Sequence, residues 1–182
     1  MKILAFLKTL FCRYNKDIES FQEEVEQEVA SSFSLPSDIS CEENIARYIF
    51  SPFNVNKNND LKPSCLKPPT GCDEVSVNRF DYTNESFLKN LGLEMQKPNK
   101  EFYGLAIFKA QSVIENDFDL VYTTIHDVNE FHSDIKIGYV VERDVELPAE
   151  INEKIRNIIK NTKLFKDTNT DTSTWIGDEI RL

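Results

Sequence analysis

The chain has 182 residues, of which 29% are charged, and 31 acidic residues against 21 basic ones give a net charge of −10. This length and composition are typical of one globular domain, and they exclude a collagen-like repeat and global disorder. The acidic total argues against general nucleic-acid binding, because contacts to phosphates need clustered Lys and Arg. No apolar run approaches the roughly 20 residues that span a bilayer.

The first thirty residues carry the clearest periodic pattern in the sequence. Seven apolar residues recur at alternating steps of three and four, which is the pattern of a heptad seam on one face of a helix. The seam residues are Leu4, Leu7, Phe11, Tyr14, Ile18, Phe21 and Val25. We therefore predict a long amphipathic helix over residues 1–32.

The charges of this predicted helix are segregated along its length. Residues 1–16 contain four basic residues and no acid, whereas residues 17–31 contain six acids and no base. A helix macrodipole favours the opposite order, so local helix stability does not explain the arrangement. Residues 17–182 carry a net charge of −14, so an acidic body bears one basic, apolar segment.

Three interpretations of the seam remain open at this stage. It can pack on the core of its own domain, or it can dock on a protein partner or a second copy of the chain. An antiparallel pair would set each basic half against an acidic half. The third is an in-plane membrane anchor formed by residues 2–16, although anionic lipid would repel the acidic half. Because Lys8 interrupts the apolar run and no cleavage site follows, we expect no signal peptide and a cytoplasmic protein.

The remaining elements can be predicted from capping signals and from the period of the apolar residues. Ser40 and Glu43 have capping-box spacing, which predicts a helix that ends before Pro52. A long loop rich in Asn, Lys and Pro follows over residues 54–72. Alternation and apolar runs predict strands over 74–80, 102–109, 119–125 and 134–141.

Two further helices are predicted, one from Asn84 to Gly92 and one from Pro148 to about Lys163. The last stretch is polar, and we expect it to be extended and loosely packed with Trp175 as an anchor. Residues 40–182 are thus predicted to form a single α+β domain with a polar C-terminal tail. Its small, mostly antiparallel sheet is covered by helices and preceded by the long N-terminal amphipathic helix.

Established catalytic and binding motifs are absent from the sequence. It has no P-loop, no dinucleotide fingerprint, no nucleophile elbow, no zinc-protease motif and no EF-hand loop. No pair of cysteines has C-x-x-C spacing, and the five glycines are scattered. We therefore predict no metal site and no cofactor.

His132 and Arg79 are the candidate catalytic residues. His132 precedes a predicted strand with Asp134 two residues on, so its imidazole could act as a general acid or base. The alternative is that His132 ties down the loop through a hydrogen bond to a backbone carbonyl. Arg79, on the apolar face of a predicted strand, could clasp a carboxylate or phosphate with two hydrogen bonds, or could form a structural ion pair.

Three further residues are candidates for ligand binding. Lys62 and Lys67 flank prolines in the long loop, and with Arg79 they could form a local cationic pocket. If His132 joined them, the set would suit an anionic small molecule or a phosphodiester. Tyr103 could stack a base or a ring. The simpler alternatives are solvated loop lysines and a tyrosine at a buried strand edge.

The order of these short motifs resembles a loose family of small bacterial proteins that lie near mobile or defence-type genes. The resemblance covers roughly residues 46–160 and does not include the predicted N-terminal helix. The motifs, in chain order, are Leu61-Lys62-Pro63, Lys67-Pro68-Pro69, Glu74–Arg79, Tyr103-Gly104 and His132 with Ile135. The resemblance implies a grouping and no reaction.

The leading hypothesis is a non-enzymatic interaction protein, an adaptor or subunit that docks through residues 2–31. An acidic immunity protein or antitoxin, which would mask a basic toxin surface, is a specific version of it. The main alternative is an enzyme that acts on a nucleotide or phosphodiester with His132, Arg79 and Lys67. The other alternative is a peripheral membrane protein anchored by residues 2–16.

Overall fold

The computed structural model of the protein describes residues 35–182. The predicted N-terminal helix and its seven seam residues lie outside this range. Within it no helix is long and apolar enough to cross a membrane.

The described part of the chain forms an α+β fold with one antiparallel sheet, as predicted. The strands are β1 (Asn44–Ser51), β2 (Glu74–Arg79), β3 (Glu101–Lys109), β4 (Asp119–Tyr122), β5 (His132–Lys136) and β6 (Lys163–Lys166). The helices are α1 (Glu85–Glu94), α2 (Ala110–Ile114) and α3 (Ala149–Lys160). The sheet order is β4-β5-β2-β1-β3-β6, and each neighbouring pair is antiparallel.

The sheet separates two hydrophobic cores. We call the side that packs against α3 the first face and the side that packs against α1 the second face. The first core includes Ile45, Ile49, Val75, Val77, Phe108, Ile135, Ile155 and Ile158. The second core includes Ala46, Tyr48, Phe102, Leu105, Leu88 and Leu91. Because successive residues of a strand point to opposite faces, a central strand such as β1 contributes to both cores.

The prediction of a helix that starts at Ser40 is wrong, because residues 44–51 form the central strand β1 instead. The expected capping contact does form, since the Ser40 N–H donates to Glu43 Oε1 at 2.9 Å. It closes a turn rather than a helix, and the Glu43 N–H donates to the Ser40 carbonyl at 3.0 Å. Ile45 and Ile49 pack in the first core, whereas Tyr48 packs in the second. A strand buried on both faces of a sheet places its apolar residues on both sides in this way.

Helix α1 begins as predicted but passes through Gly92. The Asn84 side chain accepts a hydrogen bond from the Phe87 N–H at 2.9 Å, which caps the first turn. The helix ends at Glu94, two residues beyond the predicted stop. Gly92 is needed for close packing, because a Cβ there would overlap the ring of Phe102.

The C-terminal half follows the predicted order with shorter elements. Pro148 precedes α3, which ends at Lys160, about three residues before the predicted end, and Ile155 and Ile158 of this helix are buried. Strand β5 ends at Lys136, so residues 137–141 lack the predicted strand structure. The short strand β6, on the edge of the sheet beside β3, was not predicted.

Candidate functional site

Arg79 is the last residue of β2, and its side chain is fully buried. Its guanidinium forms a two-point ion pair with Glu43, with Nη2 2.7 Å from Oε1 and Nε 2.8 Å from Oε2. Burial alone would lower the pKa of Arg79, but the Glu43 carboxylate more than offsets this and raises it. Of the two roles considered for Arg79, its geometry matches the structural ion pair.

The other hydrogen bonds of Arg79 hold the chain at the start of the described region. Nη1 donates to the carbonyl of Pro36, and Nη2 donates to the carbonyl of Asp38 at 3.2 Å. The guanidinium also lies over the rings of Tyr82 and Tyr122, 4.7 Å and 5.2 Å from their centroids. Arg79 therefore fixes the point at which the N-terminal segment joins the domain.

His132 and Arg79 point to opposite faces of the sheet. In the register of β2 and β5, Asn78 lies opposite His132, so these two side chains share the second face. Arg79 is the next residue along β2, and it lies opposite Ile45 on the first face. The structure does not bring the two candidate catalytic residues to one centre.

His132 ties the loop after β4 to strand β5. Nδ1 lies 2.8 Å from the carbonyl oxygen of Thr123, which can only accept, so we assign the proton to Nδ1. The Thr123 hydroxyl donates to Asp134 Oδ2 at 2.6 Å. Nε2 is buried without a hydrogen-bond partner and lies 3.8 Å from Asp134 Oδ1. The sequence left two roles open for His132, a general acid or base and a tie to a backbone carbonyl. The hydrogen bond to the Thr123 carbonyl matches the second.

A buried polar row continues from His132 across the second face. Asn78 Oδ1 accepts a hydrogen bond from Asn129 Nδ2 at 2.6 Å and another from the Tyr48 hydroxyl at 3.4 Å. Burial raises the pKa of Tyr48 well above its ordinary value. The raised pKa of Glu74 comes first from burial and then from the nearby Asp134 carboxylate. The hydrogen bonds of Asn78 join β1, β2 and the loop before β5 on the second face, as expected of a structural polar network.

Each predicted ligand-binding residue lies in a different local setting. Lys62 Nζ donates to the Pro52 carbonyl at 2.7 Å and so closes its own loop. Lys67 follows a short 3-10 helix, Pro63–Leu66, whose Cys65 and Leu66 pack in the first core. Tyr103 also packs against the first core, as the simpler interpretation of that residue had it.

A second buried ion pair, between Lys89 and Asp167, was missed by the sequence analysis. Lys89 Nζ lies 2.8 Å from Asp167 Oδ2 and donates to the Thr174 carbonyl at 2.9 Å. The Ile176 N–H donates to the same carboxylate at 2.7 Å. Burial alone would raise the pKa of Asp167, but the Lys89 ammonium and backbone donors lower it below its ordinary value. This pair holds the C-terminal segment against α1.

The C-terminal segment is fixed more firmly than predicted, and Trp175 is the expected anchor. Its backbone N–H donates to Ser86 Oγ at 2.8 Å, and its indole Nε1 donates to the Asp178 carbonyl at 2.9 Å. An open cleft of about 540 Å³ lies between this segment and the start of α1. It is lined by Phe80, Glu85, Trp175, Ile176, Gly177, Asp178, Glu179, Ile180 and Leu182.

No group of His, Cys, Asp or Glu side chains within residues 35–182 could hold a metal ion. Comparison of the chain with protein-family models, with curated proteins and with solved structures finds no match.

Proposed function

We propose that the protein is a non-catalytic interaction protein that docks on a protein partner through residues 2–31. The observation that carries the proposal is the contact of Arg79 with Pro36 and Asp38. A fully buried arginine and its paired glutamate use their hydrogen bonds to fix where this segment leaves the domain. A fixed exit point supports a docking role, because it limits the orientations a tethered segment must lose on binding.

The engagement of the candidate catalytic groups favours a binding protein over an enzyme. Arg79 is paired with Glu43, and His132 donates to the Thr123 carbonyl. A general acid or base must lie within hydrogen-bond reach of the reacting group, and these side chains project from opposite faces of the sheet.

The charge of the domain indicates what kind of partner it suits. Residues 35–182 contain 17 basic and 25 acidic residues, a net charge of −8. Two of the basic side chains, Arg79 and Lys89, are buried in ion pairs and cannot meet a partner. A basic partner surface is therefore the complementary one, as in an immunity protein or antitoxin of a bacterial defence system.

The test compares two double variants of the full chain. Leu7→Asp with Phe11→Asp disrupts the seam, whereas Ala5→Asp with Thr9→Asp adds the same charge away from it. Each tagged chain is isolated from the source cells, and a partner identified by mass spectrometry is then purified and titrated against it. We expect only the seam variant to lose the partner, and equal binding by both variants would refute the proposal.

A further inference from the structure

The four cysteines of the chain are not equivalent. Cys41 and Cys65 are free thiols, whereas Cys72 is disulfide-bonded. The fourth cysteine of the sequence is Cys12, which lies outside the described residues. Elimination therefore leaves Cys12 as the partner of Cys72 within the same chain.

Cys72 is fixed in position just before β2. Its N–H donates to the Pro69 carbonyl at 3.1 Å, and its own carbonyl accepts from the Val141 N–H at 2.9 Å. The neighbouring Gly71 N–H donates to the Val141 carbonyl at 2.7 Å. A segment bonded to Cys72 would therefore be held at a defined point of the domain.

The chain between Cys12 and the domain is long enough for this bond. Pro36 is held by Arg79, which is the last residue of β2. Cys72 precedes Arg79 by seven residues, so at most about 25 Å separates their Cα atoms. The 24 residues from Cys12 to Pro36 would span about 36 Å even as one continuous helix. Attachment at both ends of β2 is therefore possible.

The position of Cys12 in the heptad pattern decides which side of the predicted helix would face the domain. Each helical residue turns about 100°, so Cys12 lies about 140° from Leu7 and about 160° from Tyr14. Cys12 is thus on the side away from the seam. A bond at Cys12 turns the seam away from the domain, whereas a seam packed on the domain would point Cys12 outward.

We propose that Cys12 and Cys72 form a disulfide bond that ties the N-terminal segment to its own domain with the seam facing outward. This arrangement is incompatible with a seam that packs on its own core. With the Arg79 contact, the bond attaches the segment at two points, so a partner meets a surface of fixed orientation. The bond does not require the partner, but its effect on docking rests on the proposed function.

The bond forms by thiol–disulfide exchange with an oxidising protein or small-molecule disulfide. One cysteine forms a mixed disulfide with the oxidant and displaces its first thiol, and the other cysteine then displaces the second. The two cysteines lose two electrons and two protons, which the oxidant gains as two thiols. Burial raises the pKa of Cys65 to about 11, which keeps that thiol protonated and out of the exchange. Because the cytoplasm keeps most thiols reduced, oxidation there would attach the segment and reduction would detach it.

Counting thiols in the full chain tests the pairing. Each chain is equilibrated with a glutathione redox buffer, alkylated under denaturing conditions and analysed by mass spectrometry. We expect two free thiols in the wild type, three in Cys12→Ser and one in the control Cys41→Ser. Four free thiols in the wild type, or equal counts in the two variants, would overturn the proposal.

Peptide mapping of the unreduced wild type identifies the bonded pair. In a mixture of isotopically light and heavy chains, a linked peptide pair that contains Cys12 and Cys72 of one chain supports the proposal. A bond from Cys72 to Cys41 or Cys65 would overturn it. A bond between light and heavy chains would assign the disulfide to two copies and would also overturn it.

Photo-crosslinkers on two sides of the predicted helix test its orientation. Glu19 lies about 20° from Cys12 around the helix, whereas the seam residue Phe21 lies about 180° from it. In the oxidised full chain, a crosslinker at Glu19 should react with residues 35–182 of the same chain, and one at Phe21 should not. Reduction should weaken the Glu19 crosslink. A Phe21 crosslink to the domain that equals the Glu19 crosslink would contradict the outward seam.

Titration with the purified partner separates the bond from the proposed function. Thiol counts and peptide maps are measured on the isolated chain, so the bond can be present even where no partner binds. Where the partner binds, Cys12→Ser should weaken the affinity about tenfold, because the segment must then be ordered on binding. Cys41→Ser should leave the affinity unchanged. Equal affinities of the two variants would refute the role of the bond in docking.

Discussion

Arg79 and Glu43 form a buried two-point ion pair, although 36 residues separate them in the sequence. The pair joins the end of a central strand to the turn that precedes another, and its remaining donors reach the carbonyls of Pro36 and Asp38. Arg79, a residue type that commonly binds anions, thus connects the N-terminal segment to the sheet.

Loss of the Arg79 side chain should destabilise the domain strongly. Arg79→Met leaves the Glu43 carboxylate buried without its partner, and breaking a buried pair costs about 3–5 kcal/mol. Urea denaturation measures the change in the free energy of unfolding. Arg156→Met is the control, because that side chain is 60% exposed and its ion pair should contribute less than about 1 kcal/mol. Similar losses in the two variants would contradict a structural role for Arg79.

His132 should be replaceable by a residue that can donate to the same carbonyl. In His132→Asn, the side-chain amide can take the place of Nδ1–H and donate to Thr123, so little stability should be lost. His132→Phe removes the donor and should cost about 1–3 kcal/mol. Thermal denaturation of the two variants measures the difference. If asparagine were as destabilising as phenylalanine, the hydrogen bond to Thr123 would not be the role of His132.

The ion pair between Lys89 and Asp167 predicts a specific acid dependence. Because the folded-state pKa of Asp167 is lowered, its contribution to stability is fully present above the pKa of the unfolded chain, about 4. That contribution should be lost as the pH falls through the lower folded-state pKa. The unfolding free energies of the wild type and Asp167→Asn should therefore converge below about pH 4. A difference that stays constant from pH 6 to pH 2 would contradict the assigned pKa direction.

Gly92 should tolerate no side chain while Phe102 keeps its position. Gly92→Ala places a methyl group against the Phe102 ring, and such overpacking costs about 1–3 kcal/mol despite the better helix propensity of alanine. Adding Phe102→Leu should recover part of the loss, which a double-mutant cycle measures. Additive effects of the two substitutions would show that the ring does not limit this position.

Capping residues and apolar periodicity predicted an element correctly where its tertiary contacts favour the same secondary structure. Asn84 caps α1, Pro148 precedes α3, and alternation placed β2 within one residue of its observed end. The helix predicted from the spacing of Ser40 and Glu43 does not form, because the same capping contact also closes a turn. Burial of the following residues on both faces of the sheet favours a strand there. That burial depends on neighbouring strands that are distant in the sequence.

The candidate residues could be selected from the sequence, but their arrangement could not. The position of His132 relative to Arg79 depends on the register between β2 and β5, where a shift of one residue exchanges the faces. The partner of Lys89 lies 78 residues away, and no local pattern marks the pair. Sequence spacing therefore identified the reactive side chains without showing that each is already engaged.

The most direct test of the docking proposal is the mass of the complexes that the full chain forms at native abundance in its source cells. Native gel filtration with mass detection compares the wild type, Leu7→Asp with Phe11→Asp, and Ala5→Asp with Thr9→Asp. We expect the wild type and the off-seam variant to elute in one larger complex and the seam variant to elute as a folded monomer. An unchanged complex in the seam variant would contradict the proposal that this protein acts through its N-terminal segment.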